Sequence, residues 1–272
     1  MFGSNEIVGK RSFQSDDELL VTSYFVTLQG EGPFSGLPAV FVRLSKCNLA
    51  CSFCDTYFDS GDWFSLPALA GRLNDEVWSR PLSMDKYVLV ITGGEPLLQK
   101  ALKPFLESQE GEWKAMQIES NGIIQQDIPD SVTLVVSPKC LEKAGKAVRY
   151  LQPGKAMLAR ADCLKFVMES APSSPYSEVP LWALDWARDT GKEIYVSPMN
   201  IYARAPKTAK INRNANEATI EQRSNEEEVI SFWEPGLLDL EANQRNHEFA
   251  AAYAIEHGLR FQLQTHLYAS VA

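Results

Sequence analysis

The sequence predicts an α/β fold around a mostly parallel sheet, and three observations carry that expectation. Short runs rich in β-branched and aromatic residues recur, helical or loop stretches separate them, and several runs end in a polar tip. The expected strands are Ser23–Gln29, Ala39–Ser45, Tyr87–Gly93, Met116–Gly122, Val132–Lys139, Leu164–Met168, Glu193–Met199 and Leu259–His266. Helices are expected over Leu66–Ser79, Leu97–Ser108, Ser177–Asp189 and Leu240–Glu256, the last closed by Gly258 in C-terminal capping position. The tips read TGGEP, ESNG, SPK and SPM, each at the carboxyl end of its run. In parallel α/β sheets that edge carries the ligand site.

With 272 residues, residues 1–272 are read as one domain with a sizeable core. Asn200 to Glu228 breaks the rhythm: rich in Arg, Lys, Asn and Glu, it ends in Glu226, Glu227 and Glu228 and reads as a charged, solvated insertion or a plain surface loop. The apolar fraction of 45% and charged fraction of 22% are those of an ordinary soluble protein. No apolar stretch approaches the about eighteen residues of a membrane span, and the N-terminus lacks the pattern of a secretory signal, so a cytoplasmic location is expected. A formal charge of −9 argues against a nonspecific nucleic-acid binder and for a small substrate.

Five cysteines, an odd number, make a poor disulfide framework and a reasonable metal-ligand set. Cys47, Cys51 and Cys54 form a C-x3-C-x2-C cluster with no fourth ligand nearby. Thiolates suit zinc or an iron–sulfur cluster. A structural zinc site needs a fourth Cys or His, and Cys140, Cys163, His247, His257 and His266 stand singly and far away, which disfavours zinc without removing it. In a [4Fe–4S] cluster three cysteines leave the fourth iron open to an external ligand.

C-x3-C-x2-C resembles the signature of the radical S-adenosylmethionine (SAM) enzymes. That resemblance implies that SAM chelates the open iron and is split by the reduced cluster into methionine and a 5′-deoxyadenosyl radical. ITGGEPLLQ (Ile91 to Gln99) is similar to the superfamily's GGEP loop, which implies SAM contacts at Gly93, Gly94, Glu95 and Pro96. ESNG is similar to the segment that holds the SAM ribose, which implicates Glu119 and Asn121, and Ser137 in SPK is a further candidate for the same ligand.

Upstream, TLQGEGPFSGLPAVFVRLSKCNLACSFCDT (Thr27 to Thr56) closely resembles the start of the 7-carboxy-7-deazaguanine synthase family, and the likeness continues through GGEP, LKFV and LQTH. The resemblance implies a partial, open (β/α)6-type barrel of about six parallel strands. It implies contraction of 6-carboxy-5,6,7,8-tetrahydropterin to 7-carboxy-7-deazaguanine with loss of ammonia, regeneration of SAM, a [4Fe–4S] cluster and assistance by Mg2+. Arg43 matches the family position that would face the substrate carboxylate, and Gln29, Gly30 and Glu31 would contact the heterocycle. Thr56 matches the position offering a hydroxyl to magnesium. His266 matches a C-terminal substrate histidine, but Leu267 follows where Lys is expected in much of the family. An electron donor such as a flavodoxin and a homodimer are further implications. Two rival readings stay open: a glycyl-radical-enzyme activase, which would need neither QGEG nor Arg43, and a non-catalytic zinc-binding module.

Overall fold

The computed structural model describes residues 15–54, 56, 58–202 and 239–265. Its elements in order are β1 (Glu18–Leu28), β2 (Pro38–Leu44), β3 (Asp62–Ser65), α1 (Leu66–Trp78), β4 (Val88–Gly93), α2 (Leu102–Ser108), β5 (Ala115–Ser120), β6 (Val132–Val136), β7 (Cys140–Lys143), β8 (Lys146–Tyr150), α3 (Lys155–Arg160), β9 (Cys163–Met168), α4 (Leu181–Thr190), β10 (Ile194–Pro198), α5 (Leu240–His257) and β11 (Arg260–Phe261). Nine of the described strands form one open sheet in the order β11-β10-β9-β6-β5-β4-β2-β1-β3, and β7 and β8 form a separate hairpin. Pairing is parallel from β2 through β11, whereas β1 runs antiparallel to both β2 and β3. The expected strands Ala39–Ser45 and Tyr87–Gly93 lie in the same sheet and pair directly, with Val42 opposite Ile91.

Side-chain parity decides what each face carries, because successive residues of a strand point to opposite sides. Val40, Val42 and Leu44 of β2, Leu89 and Ile91 of β4, Ile118 of β5, and Leu164, Phe166 and Met168 of β9 join the main core. Against them pack Leu69, Leu73 and Val77 of α1, Leu102, Phe105 and Leu106 of α2, Ala183 and Trp186 of α4, and Ala250 and Ala254 of α5. The other parity is different in kind. Arg43, Thr92, Glu119, Lys165 and Ser197 alternate with those apolar residues and line a cavity on the opposite face.

Several boundaries differ from the sequence expectation for local reasons. The helix expected from Leu97 begins instead as a 3-10 turn over Pro96–Leu98, and α2 starts at Leu102. Between them the Gln99 amide crosses to β1, accepting from the Leu20 N–H at 2.8 Å and donating to its carbonyl at 2.9 Å, which pulls the chain off the helical path. The helix expected from Ser177 starts at Leu181, since Pro180 disfavours helical backbone in the residue before it. Among the described residues, the strand expected over Leu259–His266 is paired only at Arg260 and Phe261, beyond which the Gln262 side chain turns to the β1 exit and accepts from the Gly32 N–H at 2.6 Å. β3, the β7–β8 hairpin and α3 add to the elements the sequence predicts. The α5 cap is as expected: Gly258 is left-handed (φ 67°). No helix among the described residues is long and apolar enough to cross a membrane.

Candidate active site

The chain leaves β2 through Lys46, whose backbone is left-handed (φ 75°). Its N–H donates to the Phe58 carbonyl at 2.7 Å, its ammonium donates to the Asp59 carbonyl, and its own carbonyl accepts from the Glu95 N–H at 2.8 Å. Next to it the Gly94 N–H donates to the Leu44 carbonyl at 2.9 Å. A Cβ on Gly94 would lie 1.8 Å from the Lys46 oxygen, and one on Gly93 2.2 Å from that of Leu44. The two glycines thus let two backbone segments touch, which seats the loop after β4 against the entry to the cysteine loop.

Glu95 is fully buried. Its Oε1 accepts from the Leu97 N–H at 3.0 Å and the Ser120 hydroxyl at 2.8 Å, and its Oε2 accepts from the Asn121 N–H at 2.8 Å. Burial pushes its pKa up to about 7, against the lowering effect of those bonds. Asn121 then donates through Nδ2 to Asn48 Oδ1 at 2.8 Å. The GGEP loop, the ESNG tip and the residue after Cys47 therefore form one hydrogen-bonded unit.

The three thiols follow on a half-exposed loop. Burial, then the Glu95 carboxylate, pushes Cys47 up to about 12, and burial outweighs nearby Lys139 to push Cys51 up to about 11. Between Cys51 and Cys54, Ser52 donates its N–H at 2.9 Å and its hydroxyl at 3.2 Å to Glu142 of the β7–β8 hairpin. Cys47, Cys51 and Cys54 are unbridged and open onto the same cavity as Gly93, Gly94, Asn121 and Ser137. Lys139 also lines it, donating to the Ser137 carbonyl at 2.8 Å and Oγ at 2.5 Å.

The far wall is built from the β1 exit. Gln29, Gly30, Glu31 and Arg43 all line the cavity. Lys165 of β9 is buried beneath them and donates to Glu31 Oε2 and Glu119 Oε2, each at 2.9 Å. Burial disfavours its ammonium, but the two carboxylates outweigh that and hold its pKa above the ordinary lysine value. For Glu119 burial likewise works against the charge, and Lys165 reverses the balance and holds its pKa below the usual carboxylate range. Gln29 Nε2 and Gln117 Nε2 both donate to Glu119 Oε1 at 3.2 Å. Glu119, expected at the SAM ribose, is thus also an ion-pair partner. Arg43 Nη1 donates to Thr56 Oγ1 at 2.7 Å, and its guanidinium lies 5.2 Å from the Phe25 ring centroid.

No protein-family model matches the chain. It is 30% identical over 273 residues to the 7-carboxy-7-deazaguanine synthase of Rickettsia prowazekii, covering 100% of this chain and 96% of that protein. It is 37% identical over 183 residues to the enzyme of that name from Rhodospirillum rubrum, covering 66% of this chain and 71% of that one. The chain belongs to the 7-carboxy-7-deazaguanine synthase family. A crystal structure of QueE from Escherichia coli matches with a TM-score of 0.53 at 19% identity, over 90% of this chain and 93% of that one, a likeness of fold.

Members of the 7-carboxy-7-deazaguanine synthase family are radical SAM lyases, and the donor set here fits the cluster that such chemistry uses. No group of three or more His, Cys, Asp or Glu among the described residues is arranged to hold a single metal ion. A cubane does not ask its thiolates to meet at one point, because each binds a different iron. Three thiols around one cavity, with polar strand tips beside them, suit a cluster and a polar cofactor. Thr56 is a poorer match for magnesium as it stands, since its hydroxyl oxygen already accepts from a guanidinium. His266, Asp55 and nearly all of the charged insertion lie outside the described residues.

Sequence reading missed Lys139, Lys165, Ser120 and Glu142. Lys165 had a signal: it is the one charge inside the apolar run LKFVM, and a lysine in a buried strand needs partners. Glu142 had none, since its contact with Ser52 spans 90 residues.

Proposed function

We propose that this chain catalyses the ring contraction of 6-carboxy-5,6,7,8-tetrahydropterin to 7-carboxy-7-deazaguanine, with the residues of this cavity in the following roles. Cys47, Cys51 and Cys54 hold a [4Fe–4S] cluster, and Gly93, Gly94, Glu95, Glu119, Asn121 and Ser137 form the SAM pocket. When bound, the reduced cluster and SAM supply one-electron chemistry that removes a hydrogen atom from substrate carbon. Arg43 would take the substrate carboxylate, and Thr56 would be the residue that offers a hydroxyl oxygen to Mg2+. Gln29, Gly30 and Glu31 bind the heterocycle, Lys165 holds Glu31 and Glu119 in place through its ion pairs with both, and His266 completes the pocket from the C-terminal side. A cytoplasmic homodimer of single-domain chains, reduced by an acidic carrier such as flavodoxin, completes the reading.

The observation that carries it is convergence. The β1 exit and Arg43 open onto the cavity that the three thiols share, although an activase acting on a peptide backbone has no use for a carboxylate-binding arginine there. The test is an anaerobic assay of reconstituted protein with the pterin, SAM and dithionite. Formation of 7-carboxy-7-deazaguanine and ammonia without net loss of SAM is expected. Fully loaded protein that cleaves SAM but leaves the pterin intact would overturn the substrate assignment.

A further inference from the structure

The β7–β8 hairpin has two unlike faces. Cys140, Ala147 and Tyr150 turn inward to a small cluster with Tyr176 and Met199, against which Phe53 of the cysteine loop packs. The Phe53 and Tyr176 rings meet edge to face at 5.1 Å. Glu142, the hairpin's one acid, is engaged by the N–H and hydroxyl of Ser52, one residue past Cys51. Ala144 (φ 49°) and Gly145 (φ 72°) form the tight turn. The outer face carries Lys143, Lys146 and Arg149, all exposed, around Val148, which is 48% exposed. None of the three cations forms a side-chain hydrogen bond or ion pair with a described residue. On a chain of net charge −9, this is a basic surface with its acid turned inward, fastened directly to the loop of the thiols.

We propose that the outer face of this hairpin, centred on Lys143, Lys146 and Arg149, is the docking surface for a small acidic electron-transfer protein. The proposal rests on the reading of Cys47, Cys51 and Cys54 as cluster ligands. Electron entry requires a partner close to that loop, and the hairpin touches the loop from outside. The step is a single electron transfer: a reduced flavin or iron–sulfur partner is oxidised by one electron, the oxidised cluster is reduced by one, and no atom moves. Charge complementarity selects the partner's sign, because cations around one apolar side chain attract and orient an acidic rim. Nucleic acid is the poorer match, since protein–DNA complexes that make about 6–10 phosphate contacts draw on more cations than these three.

The test uses full-length, cluster-loaded protein, titrated without oxygen with a recombinant acidic flavodoxin at low and at physiological ionic strength. The triple variant K143E/K146E/R149E should bind about tenfold or more weakly and lose the wild-type salt dependence. Its iron content and its dithionite-driven SAM cleavage should equal those of wild type, because dithionite needs no docking surface. A charge-matched control, R72E/R80E/K114E, should retain most of the affinity. The proposal fails if wild type does not bind flavodoxin, if the triple variant binds within about twofold of wild type, or if the control loses as much as the triple variant. It also fails if the three residues prove to bind tRNA instead. Wild-type protein that holds no iron, or that cleaves no SAM with dithionite, would instead sink the cluster reading beneath it.

Discussion

A methyl group on Gly94 would stand 1.8 Å from the carbonyl oxygen of Lys46, a separation no pair of such atoms tolerates. The neighbour is backbone, fixed by the Glu95 N–H, and cannot swing aside as a flexible side chain would. Gly94→Ala should therefore cost about 3 kcal/mol or more and loosen the cysteine loop, lowering both the melting temperature and retained iron. Gly71, inside α1, is the control: a Cβ there meets nothing within 4 Å. Gly71→Ala should stabilise by about 0.5–1 kcal/mol through its effect on the unfolded chain and helix propensity. Paired thermal melts in which the two variants behave alike would refute the backbone-contact argument.

Lys165 compensates two buried carboxylates, so its removal is more than the loss of one side chain. Lys165→Met should destabilise by about 3–5 kcal/mol, the range for leaving buried charge unpaired. The pH dependence gives a sharper readout. In wild type the folded-state pKa of Glu119 lies below its ordinary 4.5, so its contribution is complete above that value and is lost as pH falls through the folded one. Without Lys165, burial dominates and raises that pKa, so stability from Glu119 should increase as pH falls. Urea melts from acid to neutral pH should reverse slope in the variant; parallel curves would show that Lys165 does not set the ionisation of Glu119.

Much of this could be read from the sequence because it is local. Alternation within apolar runs set the strands, and Arg43 and Lys165 interrupt them at the parity that faces the cavity. The glycines of GGEP announced a close approach, but not its partner, since the Leu44–Lys46 backbone reaches them only through parallel pairing of β2 and β4. The same is true of Glu95, whose donors lie on the next strand tip. The hairpin is hidden because LEKAGKAVRY carries too many charges to read as strands, although a Gly between two short runs is a turn signal. Likewise β1 starts at Glu18, five residues before the expected Ser23, because β3 extends the sheet beside its first residues.

The fold of the cysteine loop should tolerate loss of its thiols better than loss of its seat. Replacing Cys47, Cys51 or Cys54 with Ala should abolish iron binding and SAM cleavage while leaving the sheet intact, since these cysteines sit on a loop rather than in a strand. Glu142→Ala should act one step removed. It leaves the Ser52 N–H without its acceptor, so iron should load but leave faster under a chelator, with Glu142→Gln intermediate because its amide oxygen still accepts. Chelator chase with circular dichroism separates these cases. A cysteine variant with full iron would remove that residue from the ligand set.

Arg43 tests the substrate assignment, because SAM and the cluster are common to the superfamily and only the adjoining wall distinguishes a pterin from a peptide. Its guanidinium stands over Phe25 and bonds to Thr56, placed on the cavity side of β2 by the same alternation that sends Val42 and Leu44 into the core. Arg43→Ala should weaken binding of the carboxylated pterin by about 2–5 kcal/mol, the cost of truncating one partner of a buried charge pair. SAM affinity should hardly change, since Arg43 is assigned to the substrate and not to the cofactor. Arg43→Lys should recover only part of the loss, because an ammonium cannot make a planar two-point contact with a carboxylate or stack on the ring in the same way. Separate anaerobic titrations of pterin and SAM into the three proteins decide the matter. Equal pterin affinity in all three would take Arg43 out of the substrate site and return the activase reading to contention, whereas a selective loss of SAM affinity would move the residue to the cofactor side of the cavity.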